Sequence, residues 1–141
     1  MSYDLMVFDP KGAPAERDAF MCWYNVQTQW EEPHTYDDPE ICSPALKAWF
    51  LEIIETFPPM NGKFASAELP EDEACATDYS VGKKMIYGAF AWSKMDPAYE
   101  LVFDLAEKHG VGFFDVSGKG NLVWVPDPED GKLTVAHADE S

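Results

Sequence analysis

The chain has 141 residues, 46% hydrophobic and 14% aromatic, which is one ordinary domain with enough apolar mass for a core and not the composition of a disordered chain. Its 26 acidic residues against 10 Lys and Arg give a net charge of −16. That balance leaves no basic patch for nucleic-acid phosphate or an anionic membrane surface, and it favours a basic protein partner.

Three cysteines, Cys22, Cys42 and Cys75, are odd in number and widely spaced, with no C-x-x-C pair and no disulfide framework. Reduced thiols in a cytoplasm are the simplest account. The opening MSYDLMVFDP has neither the basic start nor the apolar core of a signal peptide, and the longest apolar run is too short for a membrane span. The expectation is a cytoplasmic protein.

In chain order, SYDLMVF at 2–8 alternates Tyr3, Leu5 and Val7 against Asp4, Met6 and Phe8, and reads as a strand with one buried face and one partly buried face. After DPKGAP, the residues Phe20, Trp23, Tyr24, Gln27 and Trp30 recur at helical spacing, predicting a helix from Pro14 to near Trp30. CSPALKAWFLEIIETFPP is the clearest helix: Ser43 is the N-cap, Pro44 the first helical residue, and Leu46, Trp49, Phe50, Ile53, Ile54 and Phe57 line one stripe. Residues 60–76 read as a long acidic loop. TDYSVGKKMIYGAFAW predicts strands at 77–82 and 84–92 around a Gly82-Lys83 turn, the second with apolar groups on both faces, as a central strand has.

SKMDPAYELVFDLAEKHG predicts a third helix over 93–110, capped by Asp96 ahead of Pro97 or by a Ser93–Asp96 box, and closed by Lys108, His109 and Gly110. VGFFDVS and NLVWVP read as two strands joined by GKG. The domain spans 1–126. The acidic tail, 127–141, holds one more short strand at 132–136 or is mobile.

These elements predict an α+β fold: an antiparallel sheet of four to five strands with helices packed on one face, in the ferredoxin-like βαββαβ order with an extra helix. The other sheet face, carrying Met6 and Phe8, is expected to be open or covered by loops, and an open aromatic face is a natural binding surface.

Chemistry-bearing patterns are few. The stretch TQWEEPHTYDDPE, 28–40, offers Glu31, Glu32, His34, Asp37, Asp38 and Glu40, but in no metal-binding spacing, and the three histidines lie far apart at 34, 109 and 137. No metal and no cofactor is expected. Cys22, beside Trp23 in a helix stripe, reads as a core or near-core thiol. Cys42, just before a helix N-terminus, is placed where the dipole can lower its pKa. His109, with Asp115 nearby, is the best lone catalytic candidate, although a helix C-terminus explains it as well. SGKGN is a turn and not a phosphate cradle. No catalytic residue is assigned.

What remains is surface. Trp30 and Tyr36 supply anchor area, and Glu31, Glu32, His34, Asp37, Asp38 and Glu40 supply a polar rim for a basic partner. The same segment can equally be a solvated loop whose aromatics pack on the helices.

The segments MSYDLMVFDP, SPALKAWFLEIIETFPPMNG, TDYSVGKKMIYGAFAW and AEKHGVGFFDVS, covering most of residues 1–117, resemble a family of small acidic bacterial proteins. AEKHGVGFFDVS is also similar to an element of immunity proteins of polymorphic and type VI secretion toxins. The resemblance implies a small acidic protein that blocks a cognate toxin by direct binding. The net charge, the acidic-aromatic clusters and the absence of a catalytic signature add the expectation that the toxin is a basic effector acting on nucleic acid or nucleotide, its active site occluded. A small enzyme or ligand binder using the open sheet face is the alternative. An acidic nucleic-acid mimic is a third. Neither a membrane nor nucleic acid is an expected direct partner.

Overall fold

In the computed structural model, the two-residue alternation of Ser2–Phe8 builds β1, the centre of the fold. Residues 2–32, 36, 38–60, 73–118 and 122–137 are described. The remaining elements are α1 (Arg17–Gln27), α2 (Pro44–Ile53), β2 (Asp78–Val81), β3 (Met85–Ala91), α3 (Met95–His109), β4 (Gly112–Phe114), β5 (Val123–Pro126) and β6 (Leu133–His137). The strands form one six-stranded sheet in the order β2-β3-β1-β4-β5-β6, with every pairing antiparallel.

The fold is α+β as expected, but the sheet has six strands and not four to five. The extra strand is β6, which pairs with β5 with a register shift at Val123/Trp124. Its start is fixed from above the sheet: the Leu133 N–H donates to Glu107 Oε2 of α3 at 2.9 Å. Leu133 itself is buried.

The larger core lies on one face. Tyr3, Leu5 and Val7 of β1 meet Tyr79, Val81, Ile86, Phe90 and Phe113 of the neighbouring strands and the inner stripes of α2 and α3. The α2 stripe is Leu46, Trp49, Phe50 and Ile53, all buried. Ser43 accepts from the Leu46 N–H at 3.4 Å, with Pro44 in the first turn, so this start is the one its sequence predicts. The α-helix ends at Ile53, earlier than the apolar stripe suggests, yet Phe57 remains in the core. The Trp49 indole donates to the Val102 carbonyl at 3.4 Å, joining α2 to α3.

Helices on one face only is the expectation that fails. On the opposite face α1 lays Phe20 against Phe8 and Phe114, at ring-centroid separations of 5.1 and 5.4 Å, with Met6, Met85 and Val123 around them. Met6 and Phe8 are therefore fully buried and the expected open aromatic face does not exist. The physical reason is the second apolar set of β1. A Phe side chain withdrawn from water contributes roughly 1.5–3 kcal/mol, and α1 is the element with a matching aromatic stripe.

Three smaller differences have local causes. The first helix begins at Arg17, where Glu16 accepts from the N–H groups of Asp18 and Ala19, so a side-chain cap sets the start three residues after Pro14. It ends at Gln27, and the chain leaves through Trp30 at φ 57°. The third helix is entered from a 3-10 turn, Trp92–Lys94, so neither Ser93 nor Asp96 caps it and Asp96 lies within its first turn. Its other end is as predicted: Gly110 stops it at φ 70°.

Candidate functional site

The 28–40 segment is tied to the β2–β3 hairpin at several points. The Tyr36 carbonyl accepts from the Val81 N–H at 2.8 Å, and its hydroxyl accepts from the Glu32 N–H at 2.8 Å. Glu32 Oε1 accepts from the Lys83 N–H at 3.2 Å. Asp38 accepts from the Glu40 N–H at 3.0 Å and caps the 3-10 turn Pro39–Ile41. Glu40 pairs with Lys47 of α2. Four of the eight candidate residues, Glu32, Tyr36, Asp38 and Glu40, thus have internal partners. His34 and Asp37 lie outside the described residues.

Trp30 and Glu31 are left facing outward. Trp30 stands edge-on to Tyr36 at 5.3 Å and to Tyr87 at 5.8 Å, and it keeps 37% of its surface exposed. Its positive φ is a conformation that a bulky L-residue adopts at a cost of about 1–3 kcal/mol. The turn after α1 and the docking of Tyr36 together hold it there. Glu31 is exposed beside it, and Val26, near the same end of α1, is 67% exposed. Trp30 and Glu31 together present an aromatic and an acidic group at the surface.

The candidate nucleophiles and bases are placed otherwise than their sequence neighbours suggest. Cys22 is exposed on α1 and is not a core thiol. Cys42 is not activated by the helix that follows it. Burial pushes its thiol up to about 12, with Glu32 and Asp38 adding to the effect, and the S–H donates to the Gly82 carbonyl at 3.2 Å. Desolvation outweighs a helix dipole here because it penalises the thiolate itself.

His109 and Asp115 are engaged by different partners. His109 Nε2 lies 2.9 Å from Glu52 Oε1, and the Lys108 ammonium reaches the same carboxylate at 2.9 Å. The hydrogen bonds from Lys108 and from His109 hold Glu52 below the usual carboxylate range. Asp115 accepts instead from the Tyr3 hydroxyl at 2.8 Å and the Gly118 N–H at 3.1 Å.

Sequence reasoning missed two tyrosine–carboxylate pairs on opposite faces of β1. Tyr3 meets Asp115 on the α2/α3 side. On the α1 side Tyr87 donates to Asp4, with Tyr24 in the same network and the Ser2 hydroxyl 2.6 Å from Asp4 Oδ1. The signal available was Tyr3 and Asp4 adjacent in an otherwise apolar strand. Burial pushes the phenols of Tyr3, Tyr24 and Tyr87 up, so Tyr3 and Tyr87 serve as hydrogen-bond donors and not as proton-transfer groups at neutral pH.

Among the described residues no group of three or more His, Cys, Asp and Glu side chains could hold a metal ion. Among them, too, no helix is long and apolar enough to cross a membrane. Comparison of the chain with protein-family models, with curated proteins and with solved structures found no match.

Proposed function

We propose that this chain is an immunity-type protein that binds a cognate bacterial toxin and neutralises it by covering a basic active-site groove. The observation that carries the reading is the patch at the end of α1. Trp30 is held at positive φ with its ring at the surface, Glu31 is exposed beside it, and the whole chain carries a net charge of −16. A rigid aromatic anchor costs little entropy on binding, and the acidic field accelerates encounter with a basic surface. Glu32, Tyr36, Asp38 and Glu40 support this patch from behind by fixing the loop to the hairpin and to α2.

The same reading extends to the fold. The antiparallel order β2-β3-β1-β4, with α2 and α3 against one face, supports a ferredoxin-like core to which α1 and the β5–β6 hairpin are added. The alternative of a small enzyme or ligand binder has less of that sheet face to use than expected, because α1 packs Phe20 against Met6, Phe8 and Phe114 there.

The test is co-expression with, and pull-down of, a toxin domain encoded beside this chain. Suppressed toxicity and a stable complex are expected, with Trp30→Ala and Glu31→Gln both weakening it. Absence of both association and protection would refute the proposal.

A further inference from the structure

A second surface lies across the sheet from Trp30, between α3 and β5. Tyr99, Glu100, Phe103, Asp104 and Trp124 line a groove of about 350 Å³. Its aromatic floor is anchored in the core. Tyr99 and Phe103 stand edge-on against buried Phe113 at 5.1 and 5.4 Å, and Phe103 meets Trp124 perpendicular at 5.1 Å. The rim is different in kind. Glu100 and Asp104 are exposed, one helical turn apart on α3, and neither has an ion-pair or hydrogen-bond partner among the described residues. The nearby cation at the end of α3, Lys108, is already paired with Glu52.

Two like charges at i and i+4 oppose helix formation. Here they flank three aromatic rings, and among the described residues no cation pairs with either of them.

We propose that this groove seats an arginine side chain of a basic protein partner. The chemistry matches on three counts. A guanidinium stacks on or against aromatic faces, and its planar fork donates to carboxylates on either side, which a lysine ammonium does less well. The groove, at the small end of ligand sites, has ample room for one side chain. The net charge of −16 draws a basic polypeptide to the surface before the groove captures one of its residues. Tyr99, Phe103 and Trp124 pack on the α2/α3 face, whereas Trp30 meets Tyr87 on the α1 face, so this inference does not depend on the toxin reading.

The experiment is a nitrogen-15 NMR titration of the full chain with a capped hexapeptide carrying two arginines, with citrulline and lysine analogues as controls. The arginine peptide is expected to shift the Trp124 indole N–H and the amides of 99–104 most, and to bind about tenfold tighter than its citrulline analogue, which has the same shape without the charge. Glu100→Gln with Asp104→Asn, both at exposed positions, is expected to weaken binding by about tenfold while leaving the rest of the spectrum in place. Equal binding of the arginine and citrulline peptides, or shifts spread evenly over the acidic surface, would overturn the proposal. So would a lysine peptide that binds as well, or methylguanidinium that binds as tightly as the peptide, which would make the groove a small-molecule seat. Concentration-dependent shifts at the same residues without peptide would assign it to a second copy of the chain and equally overturn the proposal.

Discussion

Tyr3 and Asp115, 112 residues apart in the chain, meet in the interior, where the phenol donates to the carboxylate at 2.8 Å. The bond fastens the first strand to the exit of β4. Burial holds Asp115 above the ordinary aspartate value, and the donors from Tyr3 and Gly118 only partly offset it. A raised native pKa means that the folded state binds more protons than the unfolded one between the two values. The contribution of Asp115 to stability is therefore complete below the ordinary aspartate pKa and is lost as pH rises through the raised one. Asp115→Asn keeps an acceptor for Tyr3 and removes the titration. Its stability relative to the parent should grow with pH across that interval in urea denaturation, and parallel curves would contradict the assignment. Tyr3→Phe, which leaves the buried carboxylate short of a donor, should cost about 1–3 kcal/mol at neutral pH.

The cysteines should separate by reactivity. Cys42, held up at about 12 by burial and neighbouring carboxylates, carries on the order of one thiolate in ten thousand at pH 8. Cys22 is exposed. Iodoacetamide at pH 8 should alkylate Cys22 at least about tenfold faster than Cys42, as read by peptide mass spectrometry. The reverse order would mean that the helix dipole, and not desolvation, governs Cys42.

Trp30 offers a clean test of backbone strain. Trp30→Ala removes the ring contacts with Tyr36 and Tyr87 but retains a side chain at φ 57°. Trp30→Gly removes the same contacts and relieves the strain. The glycine variant should be the more stable of the two by about 1 kcal/mol, although glycine is ordinarily the more costly residue on folding. Equal melting temperatures would show that the loop relaxes once the ring is gone.

Gly112 of β4 marks the tightest approach on the α1 side. A Cβ there would lie 2.3 Å from the Phe8 ring, which is itself fully buried and pressed against Phe20. Gly112→Ala should cost roughly 1–3 kcal/mol by overpacking. A thermal shift of only a few tenths of a degree would mean that α1 yields easily and covers its face loosely.

Legibility differed by the range of the interaction involved. Ser43 with Pro44, and Gly110 after Lys108 and His109, are local signals, and the helix start and the helix end they announce are present, while the stripe from Leu46 to Phe57 outruns its helix, which ends at Ile53. The alternation in Ser2–Phe8 and in Met85–Ala91 likewise announces strands. The stripe of Phe20, Trp23 and Tyr24 announces burial without saying against what. Only the sheet order, which leaves Met6, Phe8 and Phe114 on the second face, sends α1 there and not beside α2 and α3. The candidate loop behaved the same way. Its acidic and aromatic composition was plain in sequence, but which carboxylates cap, brace or pair depended on the hairpin at Gly82-Lys83 and on Lys47 of α2.

By itself, then, the sequence determined the three helices, the first five strands, their order and the acidic character of the surface, because capping, periodicity and net charge act within a few residues or over the whole chain. The tertiary structure alone decided that both sheet faces are covered, that Cys42 is suppressed rather than activated, and that Glu100 and Asp104 flank three aromatic rings. Those outcomes rest on desolvation and close packing between residues distant in sequence, and neither leaves a mark in local spacing.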